Sequence, residues 1–360
     1  MVVFAHPAYA GHEQVIFARD ELSDLRAIIA VHNTQRGPAL GGCRMWDYAT
    51  EEEALTDVLR LSEGMTYKNA LAGLAFGGGK AVILGDARRD KSAALLRSFA
   101  RQVQTLSGRY YTAEDVGIGP ADVDTMAEAS DFIVGRSGAG GSGDPSLWTA
   151  YGVFLALREA VRERLGRGDL QGITVVVQGV GNVGGKLCQY LHEAGARLWI
   201  SDADANRLQA VQERTGANVV ALGEEWTVAA DVLAPCALGG VLNDESIPRL
   251  RVSVVCGAAN NQLAEARHGR DLHERGILYA PDYLVNAGGV INVSAEVGGS
   301  YDEERVRQGV EGIADTAREL FALAARRGLP TSVVVAELVQ ERLNATAAPT
   351  PKPNSWAAAL

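Results

Sequence analysis

The chain has 360 residues and carries 34 Lys plus Arg against 44 Asp plus Glu, a formal net charge of −10. At roughly 150 residues per domain this is a two-domain length. The 47% hydrophobic content allows packed cores and excludes a low-complexity chain. No positive stripe exists to neutralise phosphates, which argues against a nucleic-acid partner. No run of about 18 apolar residues is present, so no membrane span is expected. The N-terminus lacks the basic and apolar regions of a signal peptide. Cys43, Cys188, Cys236 and Cys256 are scattered with no CxxC spacing. Neither a metal site nor a disulfide framework is expected, and reduced thiols of a cytoplasmic protein fit best. Glycine is over-represented, with 41 residues, which suggests positions where no side chain is tolerated.

Residues 14–32 read as two β-rich stretches with a turn at 21–23. A helix follows at 50–64, N-capped by Thr50, with Glu51 to Glu53 at the positive end of its dipole. Leu55, Val58 and Leu59 give it an apolar face. Residues 81–84 read as a buried strand, 92–106 as an amphipathic helix and 132–134 as a short strand. The Gly-rich loop SGAGGSGDPS then marks a domain boundary. A helix spans 148–165, and strands at 173–178, 196–201, 218–221, 231–234, 252–256 and 278–280 follow. Helices at 184–194 and 206–215 separate the first of these, and alternation of this kind means a parallel sheet. Residues 301–327 form one long helix and 333–343 a last one. The expected fold is α/β with two domains: residues 1–140, with 330–345 returning to them, and 141–329. Residues 346–360, rich in Pro and Ala, read as a disordered tail.

The strand at 173–178 runs directly into Gly179-Val-Gly181-Asn182-Val183-Gly184 and then a helix. This is G-x-G-x-x-G in the setting it requires. Gly179 permits the turn, Gly181 lets backbone approach a pyrophosphate, and Gly184 allows close helix–strand packing. Asp202 ends the next strand, where an acid holds ribose hydroxyls, and favours NAD over NADP. Arg207 reads as a solvated surface charge.

Three stretches of the first domain are chemically unusual. GPALGGCR is a Gly-rich turn around Gly41 and Gly42. GMTYKN places Lys68 just after the helix. FGGGK contains three successive glycines, poor choices for a helix or a strand. They suggest backbone packed close to a ligand, with Lys80 projected into the same space. Asp115 lies in the acidic turn TAEDVG. One lysine can pair with a carboxylate, a second can act as a base, and the aspartate can relay protons. Local sequence equally allows a solvated Lys68, a surface Lys80 and a helix-capping Asp115.

These stretches, together with QGVGNVG, APCALGG, GAANNQL and YAPDYLVNAGGVINV, resemble the glutamate/leucine/phenylalanine/valine dehydrogenase superfamily, on its leucine dehydrogenase side. They run in family order over nearly the whole chain. The resemblance implies a substrate-binding and oligomerisation domain, a C-terminal Rossmann NAD-binding domain, a cleft between them and a homo-oligomer. It implies that Lys68 and the Gly41–Gly42 turn bind the substrate carboxylate, Lys80 activates water and Asp115 relays protons. Ala258, Asn260 and Asn261 would meet the nicotinamide ribose, Asn260 the substrate as well, and Thr149 would lie near the carboxamide. The side-chain pocket maps onto Leu40, Met65, Ala113, Val134, Val290 and Val293. All are apolar, whereas a glutamate enzyme would need a cation there. Leucine, isoleucine and valine, converted to 2-oxo acid and ammonia, are the expected substrates, with phenylalanine as the alternative. Trp148 would pack its helix or reshape the pocket. A non-catalytic sensor is disfavoured because Lys68, Lys80 and Asp115 are all present. A hydroxy acid dehydrogenase is disfavoured because His268 and His273 lie on a charged stretch and read as surface positions.

Overall fold

The computed structural model describes residues 3–138, 141–299 and 301–345. The tail expected at 346–360 lies outside them. The chain divides into two compact units. The first comprises Met1–Pro145, Val290–Arg305 and the described residues from Glu341 on, and the second Ser146–Gly289 and Val306–Gln340.

The first unit holds β1 (Gln14–Asp20), β2 (Leu25–Asn33), β3 (Ala39–Leu40), β4 (Cys43–Trp46), α1 (Glu51–Leu71), β5 (Gly77–Leu84), α2 (Ala93–Thr105), β6 (Tyr110–Tyr111) and α3 (Pro120–Ala127). The sheet order is β1-β2-β5-β3-β6, with β4 also paired to β5. Strands β1, β2 and β5 are antiparallel, and β3 and β4 run parallel to β5. The central strands are covered on both faces, which is why they read as continuous apolar runs. Ile28, Ala30 and Val82 pack on Ala54, Leu55, Val58 and Leu59 of α1. Ala27, Ile29, Ala81 and Ile83 pack on the other face with Leu95, Phe99, Val103, Val123 and Met126.

Two expectations are corrected here. Helix α1 does not end near residue 64. Thr50 caps it by accepting the Glu53 N–H at 3.1 Å, and it continues to Leu71, so Lys68 sits in its last turn. A single interior glycine, Gly64, costs only about 1 kcal/mol relative to Ala, too little to stop a helix whose other face is packed. The second correction concerns Gly77, Gly78 and Gly79, which are buried strand residues. Their missing side chains make room for protein, because a Cβ on Gly77 would lie 1.8 Å from the Asn33 carbonyl oxygen. One on Gly78 would lie 2.1 Å from the Thr66 nitrogen, and one on Gly79 2.8 Å from the Tyr110 ring. The usual penalty for strand glycine is offset by bringing α1 almost onto the strand.

The second unit holds α4 (Ser146–Leu165), β7 (Thr174–Gln178), α5 (Asn182–Glu193), β8 (Arg197–Ser201), α6 (Ala205–Thr215), β9 (Asn218–Val219), β10 (Val232–Pro235), β11 (Val254–Val255), α7 (His268–Glu274), β12 (Leu278–Tyr279) and α8 (Asp282–Val285). Three helices complete the chain: α9 (Gly288–Ser294), α10 (Glu303–Arg327) and α11 (Thr331–Asn344). Unit assignment changes inside α9, α10 and α11. All strand pairs of the second sheet are parallel, in the order β12-β11-β10-β7-β8-β9. This is the doubly wound nucleotide-binding order, with its switch point between β7 and β10, where ligands bind at the carboxyl ends of the strands. No helix among the described residues is long and apolar enough to cross a membrane.

Placing a methyl at Gly78 should therefore destabilise the protein by about 2–3 kcal/mol through overpacking. Gly64→Ala, with nothing within 4 Å of the new atom, should stabilise it by up to about 1 kcal/mol. Urea denaturation of the two variants beside the parent measures both signs.

Candidate active site

Alternation along β5 decides where Lys80 goes. Gly78 and Val82 face α1, so Lys80, midway between them, projects to that side as well. It is only 6% exposed, and its Nζ lies 2.9 Å from Asp115 Oδ2. Asn69, one residue after Lys68, fixes the end of α1 to the sheet. Its amide donates to the carbonyls of Leu40 at 3.1 Å and Gly77 at 2.6 Å. The Gly41–Gly42 turn closes on the same place. A Cβ on Gly41 would fall 2.9 Å from Met65 Cγ, and one on Gly42 3.1 Å from Asp115 Cβ. The Tyr110 hydroxyl donates to the Gly41 carbonyl at 2.8 Å and holds this turn from behind.

Arg44 is the functional residue that the sequence did not single out. Its Nε donates to Asp115 Oδ2 at 3.1 Å and its Nη1 to Asp57 Oδ2 at 2.9 Å. The Tyr48 hydroxyl also donates to Asp57, at 2.6 Å. Asp115 thus lies between two cations. Burial pushes its carboxyl up, but Lys80 and Arg44 outweigh burial and hold it down to about 2. The carboxylate is therefore ionised throughout the neutral range and oriented from both sides. A lone Arg in a turn gives no sequence signal of a partner 71 positions away.

Five of the six expected pocket residues come together. Leu40, Ala113, Val134 and Val293 share one buried apolar cluster with Phe76, and Val290, Leu74, Tyr111 and Val297 pack against it. Met65 lies instead against Gly41. Phe76 and Tyr111 were not foreseen. Phe76 opens the FGGGK motif and Tyr111 precedes TAEDVG, and their rings meet edge to face at 6.4 Å.

In the second unit, Gly179 has φ of +89° at the switch point, where a Cβ would lie 2.7 Å from that of Ala237. Gly184 abuts the Gly179 carbonyl, whereas the nearest atom to a Cβ on Gly181 is Arg207 Nη1, at 3.6 Å. That open face at the N-terminus of α5, next to Asn182 and Val183, is what a pyrophosphate needs. Asp202 Oδ2 accepts the Val180 N–H at 2.7 Å, and Oδ1 that of Asp204 at 2.9 Å. This places the acid beside the glycine turn. Arg207 is more than half exposed and pairs with Asp204 at 3.3 Å. After β11, the loop through Ala258, Asn260 and Asn261 is held by groups the sequence reading missed. Asn286 donates to Asn260 Oδ1 at 2.8 Å and to the Ala258 carbonyl at 3.0 Å. Gln262 donates to the Gly257 carbonyl at 2.7 Å. Asn261 adopts φ of +51°, a conformation Asn tolerates better than most residues.

Thr149 lies in the first turn of α4. Gly288 packs so closely on that turn that a Cβ there would meet the Trp148 carbonyl at 2.0 Å. Trp148 itself is buried, and the Arg307 guanidinium stands 5.8 Å from its ring centre. This supports the packing role. His268 is not a surface residue: it is 1% exposed, its Nδ1 accepts the Glu265 N–H at 2.9 Å, and Nε2 lies 3.4 Å from Asp244.

A doubly wound sheet with a glycine turn in one unit, and a buried lysine–aspartate pair beside an apolar cluster in the other, define a two-domain α/β enzyme class. The comparisons with known proteins agree. The model for the Glu/Leu/Phe/Val dehydrogenase dimerisation domain matches residues 12–131, and that for glutamate/leucine/phenylalanine/valine dehydrogenase matches 140–206 and 200–339. Leucine dehydrogenase of Geobacillus stearothermophilus is 49% identical over 344 residues, covering 95% of this chain and 94% of that protein. Phenylalanine dehydrogenase of Caldalkalibacillus thermarum is 47% identical over 338 residues, covering 92% and 91%. The crystal structure of L-tryptophan dehydrogenase from Nostoc punctiforme superposes with a TM-score of 0.81 at 44% identity, covering 93% and 96%. The chain belongs to the glutamate/leucine/phenylalanine/valine dehydrogenase family, a family of amino acid dehydrogenases.

The charge arrangement at Asp115 has a pH consequence. Its pKa is about 3.9 when unfolded and about 2 here. Its ionised form therefore stabilises the fold above about pH 4, and that contribution is lost as the pH falls towards 2. Arg44→Gln removes one of the two cations, so the Asp115 pKa should rise towards the ordinary carboxylate range. Carboxyl ¹³C NMR titration of both proteins measures it.

Proposed function

We propose that the protein is an NAD-dependent L-amino acid dehydrogenase. It oxidatively and reversibly deaminates leucine, and also isoleucine and valine, to the 2-oxo acid and ammonia. The observation that carries this reading is the buried Lys80–Asp115 pair at 2.9 Å, set beside the apolar cluster of Leu40, Ala113, Val134 and Val293.

In this reading Lys68, with the Gly41–Gly42 turn, pairs with the substrate carboxylate. The leucine side chain lies against the apolar cluster. NAD, when bound, would supply the acceptor for a hydride from Cα, and the substrate nitrogen, having lost a proton, becomes an iminium. Lys80 orients and activates a water for attack on the iminium carbon. Asp115 passes the water's proton to the nitrogen, then takes the carbinolamine hydroxyl proton as the C–N bond breaks, leaving ketone and ammonia. Arg44 keeps Asp115 a carboxylate throughout, so it takes up a proton only transiently. Gly181 and the N-terminus of α5 would receive the pyrophosphate, Gly179 and Gly184 shaping the turn, while Asp202 would meet the ribose hydroxyls and Thr149, Ala258, Asn260 and Asn261 the nicotinamide end. Asp202 supports NAD over NADP because an acid repels a 2′-phosphate.

The relatives named for phenylalanine and tryptophan support an aromatic substrate as the second reading. An apolar pocket separates side chains by only about 1–3 kcal/mol per methylene. The match to a dimerisation domain supports a homo-oligomer. Four free cysteines fit a reducing, cytoplasmic setting.

With a panel of L-amino acids and either NAD or NADP, reduced cofactor should appear with leucine and NAD, and not with glutamate. No turnover with any apolar amino acid would refute the proposal. Lys80→Ala and Asp115→Ala should each lower kcat by about 10²–10⁴-fold while NADH still binds, as followed by its fluorescence.

A further inference from the structure

The Glu296 carboxylate takes no part in the chemistry above, yet its side chain is 0% exposed. Oε1 accepts the backbone N–H of Gly135 at 2.9 Å, that of Ser142 at 2.6 Å, and the Ser142 hydroxyl. Oε2 lies 3.6 Å from Arg136 Nε. Asn292, one turn earlier, donates from its amide to the Ser142 carbonyl at 3.0 Å, and the Tyr301 hydroxyl in turn donates to Asn292 at 2.8 Å. Two chain segments more than 150 positions apart are thus fastened by one buried anion.

What they fasten is the wall of the apolar cluster. Val134 precedes Gly135, and Val293 lies three positions before Glu296. Gly135 belongs to that wall too, since a Cβ there would stand 3.7 Å from Val293 Cγ1 and 3.8 Å from Ala113 Cβ. The strand expected at 132–134 is an isolated bridge between Ile133 and Thr112, and the 134–135 segment after it is tied down by the Val134 N–H to the Thr112 carbonyl at 2.8 Å. A buried carboxylate is tolerable only while its donors stay in place, and those donors are costly to leave unpaired. The Val134–Gly135 side therefore cannot draw away from Val293 without stranding several polar groups together.

We propose that Glu296 is a positioning residue that sets the width of the substrate side-chain pocket, with Gly135 as an unrecognised part of its lining. This rests on the reading that the cluster receives the substrate side chain. A latch of this kind acts on selectivity, because a wall that gives admits bulk at the expense of fit.

The test compares kcat/KM for leucine and phenylalanine in the parent enzyme and in Glu296→Gln, Ser142→Ala and Val134→Ile. Glu296→Gln keeps an acceptor for Gly135 and Ser142 but removes the charge. It should raise KM for leucine and lower the leucine-to-phenylalanine ratio by ~5-fold or more, with Ser142→Ala moving the ratio the same way by less. Val134→Ile adds a methyl to the same wall without touching Gly135, whose φ of +87° tolerates no side chain, and should move the ratio in the opposite direction. A merely structural residue would lower the melting temperature and both activities together, so an unchanged ratio in Glu296→Gln and Ser142→Ala overturns the latch. Should Glu296→Gln not fold, the opposite shifts of Ser142→Ala and Val134→Ile decide it. A parent enzyme inactive on every apolar amino acid overturns the functional reading and the latch with it, whereas an active parent with a fixed ratio overturns the latch alone.

Discussion

The first unit depends on how closely α1 can lie on β5. A Cβ on Gly78 would overlap the Thr66 backbone, so the contact exists only because that side chain is missing. From this approach follow the buried position of Lys80 on the α1 side of the strand and the reach of Asn69 to two strand carbonyls. Lys68, in the last turn of the same helix, is carried into place by the same packing. Dispersion between helix and strand falls steeply with separation, and the lysines inherit that precision.

Electrostatics then acts on a frame already set. Burial alone pushes the Asp115 carboxyl up, yet two cations meet one of its oxygens and reverse the shift. The second cation, Arg44, is itself shared with Asp57, which Tyr48 also holds. The result is a chain of charges in which each member satisfies its neighbour. Such networks couple their members, so a change at Tyr48 or Asp57 would be felt at Asp115.

The parallel sheet of the second unit was legible in the sequence, whereas helices α7 and α8 and the return of Val290–Arg305 to the first unit were not. The sheet's strand–helix alternation, glycine turn and terminal aspartate are local signals, each readable within about 30 residues. The first unit was legible in its motifs and less so in its geometry. FGGGK was read as a loop facing a ligand, whereas its glycines are strand residues facing Asn33, Thr66 and Tyr110. Pattern rules treat glycine as a strand breaker because they cannot see what occupies the vacated space. Arg44 and Glu296 escaped notice for the same reason, since each acts on a partner at least 71 positions away. His268 looked solvated because its sequence neighbours are charged, although its own side chain turns inward.

The first unit is also assembled from three separate pieces of chain. Arg342 of α11 donates to the Leu71 carbonyl at the end of α1, and its own carbonyl accepts from Arg36. Val290, Val293 and Glu296 come from a segment made only after the whole nucleotide-type sheet. During synthesis at about 5–20 residues per second, the N-terminal portion must therefore wait some tens of seconds in an unfinished state. The apolar faces of Leu40, Phe76 and Ala113 lack their covering until then. Maturation of this unit is thus tied to near-completion of the polypeptide, and a prematurely terminated product would display a sticky, unlidded hydrophobic surface to the quality-control machinery.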